Sequence, residues 1–146
     1  MNLFISPRIR RLIDLALEED ELGFDVTSQV FFEGEAGRAS LVAKEDMVIC
    51  GLPVVRAVYD RVDPAVHCVF DVHEGELITR GTTIGHIEGE SVSILRAERT
   101  ALNFLQHMTG VASLTASYVE ALASKRTRIV DTRKTLPGFR ELDKYA

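Results

Sequence analysis

The segment DTRKTLPGFR, Asp131 to Arg140, gathers Arg133, Lys134 and Arg140 within eight residues, beside a Pro-Gly turn. The chain as a whole has a formal net charge of −5, so these cations are not one part of a generally basic surface. Arg128-Ile129-Val130 precedes them, and Thr127 to Asp131 reads as a short buried strand that opens into a basic loop. Loops held by a rigid scaffold are where binding and catalysis concentrate, and this one has the charge to hold an anion. A second candidate pair is Glu98-Arg99. With Ile94 at zero and about 100° per residue, Ile94, Leu95, Ala97, Ala101, Leu102, Phe104, Leu105 and Met108 fill roughly half of a helical wheel. Glu98 falls inside that apolar half, where a carboxylate needs a partner, and Arg99 falls on its rim. His67, His73, His86 and His107 show neither a nucleophile partner nor metal-ligand spacing and read as structural. Cys50 and Cys68 likewise read as reduced core thiols.

The elements that must position these residues follow from periodicity. Ser6-Pro7 reads as an N-cap followed by Pro at the first helical position, and Ile9, Leu12, Ile13 and Ala16 recur at helical spacing to about Glu19. Glu18 to Glu21 place acid at a helix C-terminus, the wrong sign for the macrodipole. Either that end is solvated or a basic surface lies beside it. Ala39, Leu41 and Ala43 alternate with Arg38, Ser40, Val42 and Lys44, and Val66, Cys68, Phe70 and Val72 alternate with His67, Val69, Asp71 and His73, which predicts two strands. Val54, Val55, Val58, Tyr59 and Val62 make a helix between them, and VHEGELITRGTTIGHIEGE is punctuated as tight β structure. A long helix begins at Ser91 or Ser93 and is interrupted at Thr109-Gly110. Another helix, with Val111, Leu114, Thr115, Tyr118 and Leu122 on one face, runs to near Lys125.

The predicted fold is an α+β N-terminal domain, a small antiparallel sheet with helices, over residues 1–110 including the linking helix. Residues 111–146 then open an incomplete α/β barrel with its first β/α unit. One such unit cannot bury both faces of its strand, so the chain reads as part of a longer protein. There are no internal repeats or low-complexity tracts.

At 146 residues and 46% hydrophobic, the chain can build a sizeable core. Its pI of about 5.4 argues against a nucleic-acid partner, which would need excess Lys and Arg to displace counterions. No apolar run is long enough to span a bilayer and the N-terminus has no apolar leader, so a cytoplasmic location with no membrane partner is expected.

Three stretches together resemble one family, the quinolinate phosphoribosyltransferases, also called nicotinate-nucleotide pyrophosphorylases (carboxylating). They are ALEEDELGFDVTS (Ala16 to Ser28), LRAERTALNFLQHMTGVAS (Leu95 to Ser113) and DTRKTLPGFRELDKYA (Asp131 to Ala146). Phe24-Asp25 stands where the family commonly has Gly-Asp. The resemblance implies transfer of a phosphoribosyl group from phosphoribosyl pyrophosphate to quinolinate, with decarboxylation, in NAD biosynthesis. It implies that Thr132, Arg133 and Lys134 bind substrate from the end of the first barrel strand, with Lys134 catalytic. It further implies that Arg99 reaches the quinolinate of a neighbouring subunit in a homodimer with shared sites. Mg2+ is the implied cofactor, with its ligands expected beyond Ala146, so residues 1–146 alone are expected to be inactive.

Other readings compete. Arg99 could be a surface cation paired near Glu98, Arg133 and Lys134 could be solvated, and Arg140 could pair with Glu141 or Asp143. A molybdenum-operon branch of the same family lacks the Glu-Arg pair found here as Glu98-Arg99, and differs at the position of Thr135. A nicotinate-using homologue would need one carboxylate fewer. The glycine rhythm of residues 72–89 also resembles a biotinyl or lipoyl carrier domain. Such a domain needs a Lys at a hairpin tip, where Arg80-Gly81 and Gly85-His86 stand as the turn residues.

Overall fold

A computed structural model of the chain describes residues 3–21, 34–123 and 126–146. Residues 22–28 of the first family-like stretch lie outside them. Helix α1 spans Pro7–Glu21, slightly longer than its periodicity predicted. Ser6 caps it: its Oγ accepts the N–H of Ile9 at 3.2 Å. Ile9 and Ile13 carry its apolar face into the core.

The sheet is built from β1 (Ala36–Val42), β3 (His67–Phe70) and β5 (Thr83–Glu90), in the antiparallel order β1-β5-β3. A second antiparallel pair joins β2 (Met47–Val48) to β4 (Leu77–Ile78). Ile87 of β5 faces Ala39 on one side and Cys68 on the other, and is 0% exposed. The predicted alternation holds on both flanking strands: Ala39, Leu41, Cys68 and Phe70 turn inward, and Arg38, Ser40, His67 and Val69 outward. Gly85 and His86, expected in a turn, instead lie inside β5. The backbone of β3 passes so close that a Cβ on Gly85 would stand 2.2 Å from the carbonyl oxygen of Val69, which only glycine allows.

Helix α2, Leu52–Val62, follows Gly51, which has φ +113° and supplies no side-chain cap. Glu74 supplies one from the far side of β3, accepting the N–H of Gly51 at 2.6 Å and of Leu52 at 3.1 Å. A carboxylate at a helix N-terminus satisfies orphan donors and the dipole together.

Helix α3 is continuous from Ser91 to Leu122 and runs straight through Thr109-Gly110, where an interruption was expected. One glycine costs a helix about 1 kcal/mol relative to alanine, and the contacts on this face outweigh it. Thr109 Oγ1 accepts the N–H of Cys50 at 3.1 Å and donates to its carbonyl at 3.0 Å. One turn later Ser113 Oγ accepts the N–H of Val48 at 2.9 Å. The buried arc of α3 is narrower than the half-wheel: Ile94, Ala97, Ala101, Phe104, Leu105 and Met108 are buried. Leu95 and Glu98 lie on a flank outside that arc and are exposed, so the expected burial of Glu98 does not occur. Leu114, Tyr118, Val119 and Leu122, at the end of α3, are also exposed.

The predicted strand Thr127 to Asp131 is irregular chain, and Val130 is 79% exposed. A strand needs a neighbour to take its backbone hydrogen bonds, and none of the described strands lies beside this segment. Helix α4, Arg140–Tyr145, ends the chain with Leu142 fully buried.

Candidate functional site

The loop around Arg133 is held from its C-terminal side. Leu136 to Phe139 form a turn closed by the Phe139 N–H on the Leu136 carbonyl at 3.1 Å. Pro137 and Gly138 (φ +86°) occupy its centre, as a type II turn requires. Phe139 then packs its ring on Phe104 (5.9 Å between centroids) and edge-on to His107 (4.9 Å). Asp143 meets His107 Nε2 at 2.6 Å, and Glu141 accepts the Ser6 hydroxyl at 2.5 Å. The short helix α4 is thus fastened to both α1 and α3.

From that fixed helix two side chains reach back to the loop. Lys144 Nζ lies 2.6 Å from Asp131 Oδ2, and Arg140 Nη2 donates to the Arg133 carbonyl at 3.4 Å. Arg140 therefore pairs with neither Glu141 nor Asp143. Thr132 Oγ1 accepts the N–H of Lys134 at 3.2 Å, a local bond that shapes the loop. Thr132, Arg133 and Lys134 are exposed. Among the described residues neither Arg133 nor Lys134 has a carboxylate within ion-pair distance. The hydrogen bond from Lys144 holds the Asp131 carboxyl below the usual range. With Asp131 and Lys144 cancelling, the local field belongs to Arg133, Lys134 and Arg140 and favours a negative ligand.

Arg99 projects from α3 with its side chain 74% exposed, and its Nη1 lies 2.6 Å from Asp20. The acidic end of α1 does face a cation, and the partner of Arg99 is Asp20 rather than Glu98. Arg99 lines a cavity of about 440 Å³ with Glu19, Asp20, Asn103, Phe104 and Phe139. Thr132, Arg133 and Lys134 do not line it, whereas Phe139, at the end of the turn that holds their loop, does. A larger cavity, about 600 Å³ between α1 and α2, contains none of the predicted residues. Four of its charged residues are already engaged: Arg61 with Asp14 at 2.5 Å, Arg56 over Phe70 and on the Cys68 carbonyl, and Glu74 on the start of α2. Arg10 and Asp60 also line it.

Burial pushes the Cys50 thiol up to about 12 and the Cys68 thiol to about 11, with Glu74 adding to the shift at Cys50. Neither is a thiolate nucleophile at neutral pH. His86 bonds Ser40 at 3.1 Å and lies 3.7 Å from Asp71, while His67 and His73 are exposed. Among the described residues no group of three or more His, Cys, Asp or Glu could hold a metal ion. Sequence reasoning did not find Lys144, Asp131 or the His107–Asp143 pair. No periodicity links residues 13 or 36 positions apart across a turn.

With this geometry in view, comparison with known proteins places the chain. The family model for the quinolinate phosphoribosyl transferase N-terminal domain matches residues 25–109, and that for the C-terminal domain matches residues 111–146. The chain belongs to the quinolinate phosphoribosyl transferase family. It is 43% identical over 110 residues to a Synechocystis protein named "probable nicotinate-nucleotide pyrophosphorylase (carboxylating)", covering 75% of this chain and 37% of the relative. It is 37% identical over 144 residues to quinolinate phosphoribosyltransferase (decarboxylating) 1 of Nicotiana glauca, covering 94% of this chain and 39% of that one. The crystal structure of NadC from Streptococcus pyogenes superimposes with a TM-score of 0.90 at 39% identity, covering 96% of this chain and 51% of that one. The chain spans about half the length, or less, of these relatives.

Proposed function

We propose that this chain supplies the amino-terminal domain and the first site-bearing segment of a decarboxylating quinolinate phosphoribosyltransferase. In this reading the ring nitrogen of quinolinate attacks the anomeric carbon of phosphoribosyl pyrophosphate and pyrophosphate leaves. The carboxylate next to the ring nitrogen is then lost as CO2, and a proton from solvent takes its place on the ring carbon, giving nicotinate mononucleotide. Family membership sets the class of reaction. The observation that carries the site is the exposed loop whose Arg133 and Lys134 have no carboxylate partner among the described residues.

Two substrate carboxylates, a 5′-phosphate and a pyrophosphate repel one another in a low-dielectric pocket unless cations balance them. The planar guanidinium of Arg133 suits bidentate contact with a carboxylate, and the Lys134 ammonium serves phosphate as a point charge. The Thr132 hydroxyl already accepts the Lys134 N–H, which leaves its own proton to donate to an anion. Lys134 is the catalytic residue of this set, stabilising negative charge on the reacting groups. Arg99, exposed and paired with Asp20 in this chain, completes the pocket of a second subunit by exchanging Asp20 for a substrate carboxylate. The exposed stripe of Leu114, Tyr118 and Leu122 along the end of α3 is the surface on which further β/α units pack. Among the described residues no group of acidic side chains is placed to hold magnesium.

The test is to assay the full-length protein with quinolinate and with nicotinate, following mononucleotide and CO2 together. Quinolinate is expected to be consumed with one CO2 released per mononucleotide. Turnover of nicotinate alone, without CO2, would replace this reading with that of a nicotinate-using homologue.

A further inference from the structure

Asp131 is an acid placed directly before Thr132, Arg133 and Lys134, at the edge of a loop proposed to hold a polyanion. Left alone, its carboxylate would act twice against such a ligand. It would repel the negative charge, and it could fold onto Arg133 or Lys134 and occupy their donors. In the structure the carboxylate faces Lys144 instead, whose Nζ stands 2.6 Å from Asp131 Oδ2.

That ammonium is brought there by a fixed helix. Lys144 follows Asp143, bonded to His107 at 2.6 Å, and lies two residues after the fully buried Leu142. At the other end of α4, Arg140 donates to the Arg133 carbonyl at 3.4 Å. Within the loop the Thr132 hydroxyl accepts the Lys134 N–H. In each case an acceptor of the loop is engaged, while the side-chain donors of Arg133 and Lys134 stay without a carboxylate partner among the described residues.

We infer that Lys144 is a positioning residue: by occupying the Asp131 carboxylate from α4, it keeps Arg133 and Lys134 available to an anionic substrate. The inference rests on the proposed function for the identity of that substrate, but its test reads binding separately from turnover. In the full-length protein, pyrophosphate and quinolinate binding is measured by calorimetry for wild type, Lys144→Ala, Asp131→Asn and the double variant. Lys144→Ala is expected to weaken pyrophosphate about tenfold, the scale of 1.4 kcal/mol, because Asp131 is released onto its neighbours. Adding Asp131→Asn is expected to restore binding to within about threefold of wild type, since the interfering acid is then absent. Asp131→Asn alone, which leaves α4 untouched, is expected to bind at least as tightly as wild type.

A double variant no better than Lys144→Ala would mean that Lys144 merely fastens α4, and the inference would be overturned. Weak binding by Asp131→Asn alone would overturn it as well, by showing that the acid itself is needed. If the rescue pattern is seen but quinolinate is not turned over, only the proposed function fails. If wild type binds no pyrophosphate at all, both fail.

Discussion

Lys134 has no structural duty visible in its side chain. Its backbone N–H meets Thr132 Oγ1, and among the described residues its ammonium has no carboxylate to hold. Lys134→Ala is therefore expected to leave thermal unfolding unchanged. In the full-length protein it should remove about 2–5 kcal/mol of transition-state stabilisation, as for truncation of one partner of a buried charge pair. Measured kcat/KM near wild type would show that the loop is only solvated. Cys50 makes the opposite case, a residue whose burial is its chemistry. Its thiol is raised by burial from an ordinary 9.0 to about 12, so above pH 9 the unfolded chain loses this proton while the folded chain keeps it. The contribution to stability is complete below pH 9 and declines as pH rises toward 12. Cys68 and Tyr145, also raised by burial, act in the same direction. Urea unfolding at pH 7.5 and at pH 10 should show lower stability at pH 10. Cys50→Ala should shrink that difference; an unchanged difference would mean that Cys50 has no part in it.

At the scale of elements, two glycines that look alike in sequence have opposite meanings. Gly85 sits in β5 where a Cβ would strike the Val69 carbonyl at 2.2 Å and the Phe70 Cα at 2.9 Å. Gly85→Ala must push β3 away from β5, and overpacking of this kind costs about 1–3 kcal/mol or more. Gly110 lies within α3 with nothing inside 4 Å of a Cβ. Gly110→Ala should stabilise the chain by about 0.5–1 kcal/mol through the unfolded state and helix propensity. Denaturant midpoints of the two variants check both signs. A destabilised Gly110→Ala would point to a break in α3 at that residue. The strands themselves were legible in advance, because inward and outward residues alternate along β1 and β3 with a period set by the backbone. Both glycines resisted that reading. A sequence shows that a side chain is missing, and only neighbouring backbone shows whether there was room for one.

For the whole molecule, the proposed place of Arg99 in the pocket of a second subunit bears on assembly. If each proposed site takes Arg133 from one subunit and Arg99 from its partner, inactive full-length Arg99→Ala and Arg133→Ala proteins should complement when dissociated and mixed. Random pairing makes about half of the dimers mixed, each with one intact site of two, so about a quarter of wild-type activity should return. No recovery, with subunit exchange confirmed by mass spectrometry, would reject the shared site. The chain on its own, with the apolar surface of Leu114, Tyr118, Val130 and Leu136 open, is expected to convert no quinolinate. Conversion by the purified 146-residue chain would remove that expectation.

Local rules sufficed where the cause is local. Ser6 caps α1, Pro137-Gly138 make a turn, the apolar residues of β1, α2 and β3 point inward, and the motif residues around Arg99 and Arg133 indicate the family, all from spacings of a few residues. Tertiary structure decided the rest. It selected which arc of α3 is buried and so left Glu98 outside, and it set Arg99 on Asp20. It left Thr127 to Asp131 without strand pairing, and brought Lys144 to Asp131 and Asp143 to His107. The physical reason is range. Caps, turns and periodicity act within a few residues of the chain, whereas strand pairing and ion pairs exist only when a packed core brings distant segments together.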